Sequence, residues 1–336
     1  FFFLVSCEKN DVEPQKTRTL MVYLAGDNNL SGHMQKNISS MMSAWKESYN
    51  ANIVIYFDAP NAAPELYTFR FKGKEVEKQV LKTYEEMDSA DPEVLKKILN
   101  EMQDLYPSDS YGLILGSHAS GWIPSGASGR SNRMLHAEPV LTRSFGKDYT
   151  GSNEMDTRDM AKAIPFNKKN LEIILFDACL KSSIEVLYDL RDKAKYVIAS
   201  PAELPAPGFP YARVMPYFWG KGKDLEKDLV KVCDEFWDYY NTYNATNRFG
   251  TIALIKMDEM EHLFDLTREV LQGQKENVAT IKQNAVYCYP MVEYTKHDRF
   301  FDLGEYMKYM TEDREGLYKE YRDFLDNEVV IYKKAT

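Results

Sequence analysis

Short runs of apolar residues, each closed by a polar or glycine turn, limit what this chain can fold into. Thr19 to Ala25, Asn52 to Phe57, Tyr111 to Leu115, Ile173 to Phe176 and Lys195 to Ser200 are rich in Val, Ile, Leu and Tyr. They are strand-length, and they read as buried on both faces, which is the environment of a parallel sheet. Helical spacing fills the gaps between them. It runs from Leu30 to Tyr49, from the N-cap Asp91 and Pro92 to about Leu105, and through Ile184, Leu187 and Tyr188. Strands alternating with helices predict an α/β fold with a mainly parallel sheet and helices on both faces. Leu66 to Phe71 and Val76 to Leu81, around Lys72-Gly73-Lys74, read as a short hairpin.

After Ile123 the pattern fades until about Asn170. Gly, Ser, Arg and Asn crowd Pro124 to Asn132, and a short helix is expected at Met155 to Ile164. A loop of that length within a compact domain is usually functional or mobile. Beyond the Lys195 run come a Pro-rich stretch, Pro201 to Pro210, and a long amphipathic helix, Asp224 to Tyr243. A strand at Gly250 to Ile255 and helices at about Asp258 to Leu271, Leu303 to Tyr309 and Asp313 to Leu325 follow. The chain stops just after Val329 to Tyr332, which reads as a strand cut off at its end. With 336 residues there is room for one large domain or two modest ones. The expected division is a signal remnant and polar tether over 1–16, a core over 17–220 and a C-terminal α/β portion, with several helices, packed on that core over 221–336.

Composition removes several functional classes. A formal net charge of −9 with no Lys/Arg cluster argues against a nucleic-acid partner, because phosphate binding needs a basic face. The four cysteines, Cys7, Cys179, Cys233 and Cys288, are far apart and form no CxxC pair. A disulfide framework or structural zinc site is therefore not expected. His33, His136, His262 and His297 have no convincing partner, and no HExxH occurs, so no metal is assigned. Cys233, mid-helix, and Cys288, in a Tyr-rich run, read as core. Glu85-Glu86-Met87-Asp88 reads as solvated surface, and Asp27-Asn28 as a tight turn that follows a strand.

The first residues, Phe1-Phe2-Phe3-Leu4-Val5-Ser6-Cys7, are apolar, and the composition then turns polar through Lys16. This reads as the tail of a signal peptide. Leu4-Val5-Ser6-Cys7 resembles a bacterial lipoprotein signal, which implies lipidation at Cys7, export to the cell envelope and a membrane anchor. No later stretch approaches the roughly 20 apolar residues of a spanning helix.

Two of the strands end in reactive side chains. Leu113-Ile114-Leu115-Gly116-Ser117-His118 ends in a histidine, and Ile173-Ile174-Leu175-Phe176-Asp177-Ala178-Cys179 in a cysteine. Open α/β sheets bind ligands at the carboxyl ends of their strands. A helix begins soon after Cys179, and the partial positive charge of its N-terminus favours a thiolate. If the two strands are near neighbours, the residues emerge on one sheet edge as nucleophile and general acid/base. Backbone N–H groups beside them could hold an oxyanion. From pattern alone, a cysteine after a strand is more often a small buried hydrophobe, and both readings stay open.

The blocks MVYLAGDNNL, LILGSHASGW, FDACLKSSIEVLYDLRDKAKYVIAS and RFFDLGEYM resemble the clostripain family of cysteine peptidases, over most of the chain. That family shares a caspase-like fold with gingipains, legumains and caspases. The resemblance implies that Cys179 is the nucleophile and His118 the general acid/base, with backbone at Ala119 and Cys179 as the oxyanion hole. It implies that Asp177 lines the pocket for a substrate Lys or Arg, with Glu203 on the adjoining wall. It also implies protein or peptide substrates and self-cleavage between His118 and Cys179. Among Arg130, Arg133, Arg143 and Lys147, Lys147 and Arg143 are the favoured positions. Some relatives depend on calcium. No EF-hand-like loop occurs here, so no cofactor is expected to be required.

This sequence departs from the family at three places. Ala119 follows the histidine where the family usually has Gly. Pro201-Ala202-Glu203 replaces a usual Ser-Glu-Glu, and Gly116 stands where a tryptophan is frequent. These departures motivate two alternatives: a catalytically weak or inactive caspase-like surface lipoprotein that binds peptides or a protein partner, and a peptidase of asparaginyl or other non-basic specificity.

Overall fold

A computed structural model describes residues 18–123, 145–151, 154–220, 223–242, 249–272, 285–289, 300–311 and 314–336. These residues form a nine-stranded sheet in the order β4-β3-β2-β1-β5-β6-β7-β8-β9. The strands are β1 (Thr19–Ala25), β2 (Asn52–Ala59), β3 (Ala62–Lys72), β4 (Glu75–Thr83), β5 (Tyr111–Gly116), β6 (Leu171–Asp177), β7 (Tyr196–Ala199), β8 (Thr251–Lys256) and β9 (Val330–Ala335). The central strands β2, β1, β5, β6 and β7 are parallel, and the flanking pairs β3–β4 and β8–β9 are antiparallel. The parallel core coincides with the continuous apolar runs of the sequence. The C-terminal portion contributes two strands to this same sheet along with its helices.

Alternation along each strand sends side chains to opposite faces. Met21, Tyr23 and Ala25 of β1 face one layer, and Leu20, Val22 and Leu24 face the other. The first layer holds α2 (Pro92–Leu105), α3 (Thr157–Ala163), α4 (Ile184–Asp189), α7 (Met260–Gln272), α8 (Leu303–Met310) and α9 (Glu315–Phe324). The second holds α1 (Ser31–Ala44), the short α5 (Tyr211–Val214) and α6 (Lys223–Thr242). Each fully buried Leu, Ile or Met in these layers contributes about 1.5–3 kcal/mol by leaving water.

Several local expectations hold for identifiable reasons. The Asp91 side chain accepts the N–H of Glu93, with Pro92 opening α2. Asp302, which the sequence leaves open between a helix N-cap and a site residue, caps α8 by accepting the Glu305 N–H at 2.9 Å. Others need correction. The helix expected from Leu30 to Tyr49 stops at Ala44, because Trp45 turns inward among Tyr49, Phe69 and Trp219. A 3₁₀ turn, Glu47–Tyr49, then carries the chain into β2. The hairpin is longer than expected, Ala62 to Thr83. The final run pairs antiparallel along β8, from Ile255↔Val330 to Thr251↔Ala335.

Candidate active site

Strands β1, β5 and β6 are adjacent and parallel, and their registers align Leu24 with Gly116 and Gly116 with Asp177. His118 and Cys179 each lie two residues past this aligned pair, so they leave the sheet level with one another on neighbouring strands. The turn after β1 leaves by the same edge and carries Asp27, Asn28 and Asn29.

Asn29 is the residue that sequence reading missed. Its Oδ1 lies 2.5 Å from His118 Nε2. An amide oxygen only accepts, so Nε2 carries the proton, and Nδ1 is the nitrogen left to take one. Asn28 anchors this turn from below. Its Oδ1 accepts the Leu30 N–H, and its Nδ2 donates to Ala25 O and Lys147 O. The His118 carbonyl accepts the N–H of Gly146 at 3.0 Å, which fixes the residue from its backbone side. Burial, with the Lys147 charge nearby, holds the His118 imidazole down to about 4. At neutral pH it therefore rests uncharged, as a proton acceptor.

Cys179 is half-buried in the turn after β6. Its Sγ accepts the N–H of Leu204 at 3.2 Å and lies 3.8 Å from the Leu204 carbonyl. The Pro201–Pro210 segment thus meets the thiol directly. It is laced to the same turn by Leu180 N to Ala202 O and Ser182 N to Ser200 O. Glu203 sits between those contacts. α4 does not start until Ile184 and spans six residues, so its dipole bears on Cys179 less than the sequence implied. The Leu204 N–H lies closer to the sulfur.

Ala119 is free of backbone strain. Positive φ among non-glycine residues is confined to Asn50, Asn61 and Leu180 within the described residues. The left-handed turn after the histidine falls at Gly121 instead, with φ +68°. A Cβ there would lie 2.5 Å from the Phe300 ring and 2.9 Å from Leu180 O. Gly116 also has a packing reason, since a Cβ would approach Leu24 Cδ2 to 2.6 Å. Any larger residue would displace β1.

Asp177 ends β6, on the face that carries α1 and α5. The Tyr211 hydroxyl donates to its Oδ2 at 2.9 Å, and Asn37 Nδ2 approaches the same oxygen at 3.5 Å. Gly208, with φ +71°, lies so close that a Cβ would be 2.5 Å from Oδ1. Burial pushes the carboxyl up to about 6, while Tyr211 and the Phe209 N–H pull it back. Lys181, also unforeseen, is buried, with Nζ 3.4 Å from both Gly121 O and Thr157 Oγ1. Burial lowers its ammonium to about 7, against the pull of Asp156. It ties the histidine loop, the cysteine turn and α3 together.

Lys147, read from sequence as a cleavage position, is partly buried beside His118, and its carbonyl is held by Asn28. Arg143, Arg130, Arg133 and Cys7 lie outside the described residues. Cys233 is buried in α6, as expected of core, and burial raises its thiol. Glu86 is surface, as expected. With Asp27 and Asp148 it presents carboxylate oxygens within 4.8 Å of one another.

A family model for the clostripain family of peptidases matches residues 22–336. The chain belongs to the clostripain family. Clostripain of Hathewaya histolytica is 28% identical over 254 residues, 67% of this chain and 47% of its own length. The chain thus matches about half the length of that relative. Among solved structures, an inactive zymogen C11 protease from Parabacteroides distasonis is 30% identical with a TM-score of 0.79. That match covers 97% of this chain and 86% of the other. A secreted C11 cysteine protease from Bacteroides thetaiotaomicron, bound to an irreversible peptide inhibitor, is 28% identical with a TM-score of 0.76. It covers 95% of this chain and 85% of that one. The α/β fold with helices on both faces is the fold of these proteases.

Proposed function

We propose that this clostripain-family chain is a cysteine endopeptidase that cuts after Arg or Lys. One observation carries the reading: His118 and Cys179 leave adjacent parallel strands level with one another, and Asp177 is the last residue of the strand before the cysteine. Neutral His118 accepts the thiol proton as Cys179 attacks the scissile carbonyl, and the resulting imidazolium protonates the leaving amine. Asn29 holds the ring through Nε2–H and gains strength as the ring becomes charged. Backbone N–H groups at Ala119 and Cys179 are the oxyanion donors in this reading. Asp177, with its carboxyl raised to about 6 by burial, receives the substrate's basic side chain, and Glu203 is the second acidic residue of the pocket in this reading. The placement of Lys147 beside His118 supports self-cleavage there, with Arg143 as the second position. The thiol, engaged by Leu204, then belongs to a closed precursor.

The test is hydrolysis of Arg and Lys fluorogenic peptides by wild type, Cys179→Ala and His118→Ala. Activity lost in both variants is expected, with N-terminal sequencing showing a cut after Lys147 or Arg143 in wild type only. A folded wild type inert to a basic peptide library overturns the reading. Rapid alkylation of Cys179 at neutral pH separates a peptidase from a peptide-binding module on the same fold. We further propose export and lipid anchoring at Cys7. The secreted Bacteroides relative supports export. No helix among the described residues is long and apolar enough to cross a membrane.

A further inference from the structure

Asp177 faces the α1 and α5 side of the sheet edge, and on the other side of the thiol the surface turns aromatic. Cys179 packs against a small apolar cluster of Ile123, Leu180 and Phe300, joined by Tyr289. Trp122 adds a ring whose centroid is 6.1 Å from that of Phe300, yet it is 39% exposed. Two segments fix these rings. The loop after β5 delivers Trp122 through the left-handed turn at Gly121, where only a hydrogen fits against the Phe300 ring. Cys288 and Phe301 bridge antiparallel, and beside them the Tyr289 N–H donates to the Phe300 carbonyl at 2.7 Å. The Tyr289 hydroxyl donates to Asp302 Oδ2 at 3.2 Å, which orients its ring. Trp122, Tyr289 and Phe300 line a cavity of about 760 Å³ that runs back between Ala253 and Ile255 of β8 and the helices α4, α7, α8 and α9. Ser182, three residues past the cysteine, lines it as well, so the cavity reaches the cysteine turn.

Protein interiors are close-packed, and an apolar void within the roughly 300–1,000 Å³ of ligand pockets is a place for an occupant. We propose that Trp122, Tyr289 and Phe300 form a subsite for a bulky apolar side chain of the substrate, one or two residues after the cut. The inference rests on the peptidase reading above and narrows its substrates to peptides in which Phe, Leu or a similar residue follows the basic one. The direction comes from the chemistry. His118 protonates the leaving amine, so the leaving segment lies over the histidine loop. Trp122 is the fourth residue past His118 in that loop. The basic side chain turns to Asp177 on one face, and the leaving segment meets the cavity on the other. An apolar side chain seated there leaves water and covers the exposed Trp122 ring. Gly would leave the rings wet, and Asp would bring a second charge against them beside Asp302.

The test measures kcat/KM of the full chain on internally quenched peptides that share a Lys and carry Phe, Leu, Gly or Asp in the two positions after it. Phe or Leu should exceed Gly by about 10-fold or more, and Asp should fall below Gly. Trp122→Ala should reduce the Phe-to-Gly ratio to about 3 or less, and Trp122→Phe should restore most of it. Phe264→Ala, which removes an equally exposed ring stacked on Tyr188 outside the cavity, should keep the wild-type ratio. Equal rates for Phe and Gly in a chain that cleaves after Lys overturn the subsite and leave the peptidase reading standing. So does a ratio untouched by Trp122→Ala, and so does an apolar preference confined to the residue before the Lys. No cleavage of any peptide overturns the peptidase reading instead, and binding then decides the subsite. Fluorescein-labelled forms of the same peptides, followed by anisotropy on Cys179→Ala, should bind about 10-fold tighter with Phe than with Gly. Equal affinities in that case overturn the subsite.

Discussion

At the scale of single residues, the site depends on side chains whose charge is set by burial. Asp177 is the instructive case, because its proposed role in binding a basic side chain and its contribution to stability pull in opposite directions. Its folded value, about 6, lies above the ordinary carboxylate value of 3.8, chiefly through burial. A carboxyl raised on folding contributes stability that is fully present below its unfolded value and is lost as pH rises through its folded value. Pairing with a basic substrate requires the charged form, so turnover should fall as pH drops through about 6. Asp177→Asn should therefore lose about 10²-fold or more in kcat/KM on Arg and Lys peptides. It should also gain stability over wild type at pH 8 compared with pH 5. Urea titrations at both pH values, beside pH–rate profiles, check this. An acid limb that persists in the variant would assign that limb to another group. His118 runs the other way, since its lowered value keeps it a neutral base above the same range.

At the scale of elements, the loop after β5 shows what a turn must supply. Gly121 combines φ +68° with contact to the Phe300 ring and Leu180 O, so no side chain fits. Gly121→Ala should cost about 1–3 kcal/mol from strain at positive φ, more once Phe300 must move. Ala119→Gly, at ordinary φ, should cost under about 1 kcal/mol. Thermal melts of the pair test whether the special backbone position is 121. The contrast also explains what was legible in the sequence. Parallel strands announce themselves because burial on both faces demands continuous apolar runs, and His118 and Cys179 could be set on one sheet edge because each follows such a run. Asn29, Asn37, Tyr211 and Lys181 were not. Each acts on a partner remote in sequence, and a lone Asn or Tyr in a local pattern is indistinguishable from turn or core. The Ala119 departure looked costly because motif position stood in for backbone angle. The end of α1 was missed because Trp45 continues the helical spacing while its ring is claimed by Tyr49, Phe69 and Trp219.

At the scale of the whole molecule, the two ends of the parallel sheet do different work. The carboxyl ends carry Asn29, His118 and Cys179. The amino ends are closed by Arg18, which is buried and pairs with Glu172 of β6. Its Nε donates to Ser110 Oγ just before β5, and its Nη1 donates to the Phe218 carbonyl. Burial lowers the guanidinium, and the Glu172 charge opposes that loss. One side chain thus joins β1, β5, β6 and the segment after α5. Lys195 also reaches Glu172, at 3.1 Å, but is more exposed. Removing one member of a buried pair strands the other's charge, which costs about 3–5 kcal/mol. Replacing both with apolar residues of similar volume avoids that penalty and is often near neutral. Arg18→Met alone should therefore destabilise the chain by several kcal/mol (~3–5), and Arg18→Met with Glu172→Met by distinctly less. Each should leave kcat/KM per folded molecule unchanged, because the sheet separates this end from the reacting groups. Urea unfolding of the double-mutant cycle, with active-site titration of the folded fraction, reads both quantities. A fall in kcat/KM at full folding would mean that the amino end of the sheet reaches the catalytic edge through strand register. An additive cycle would mean that Arg18 is held by Ser110 and the Phe218 carbonyl rather than by Glu172.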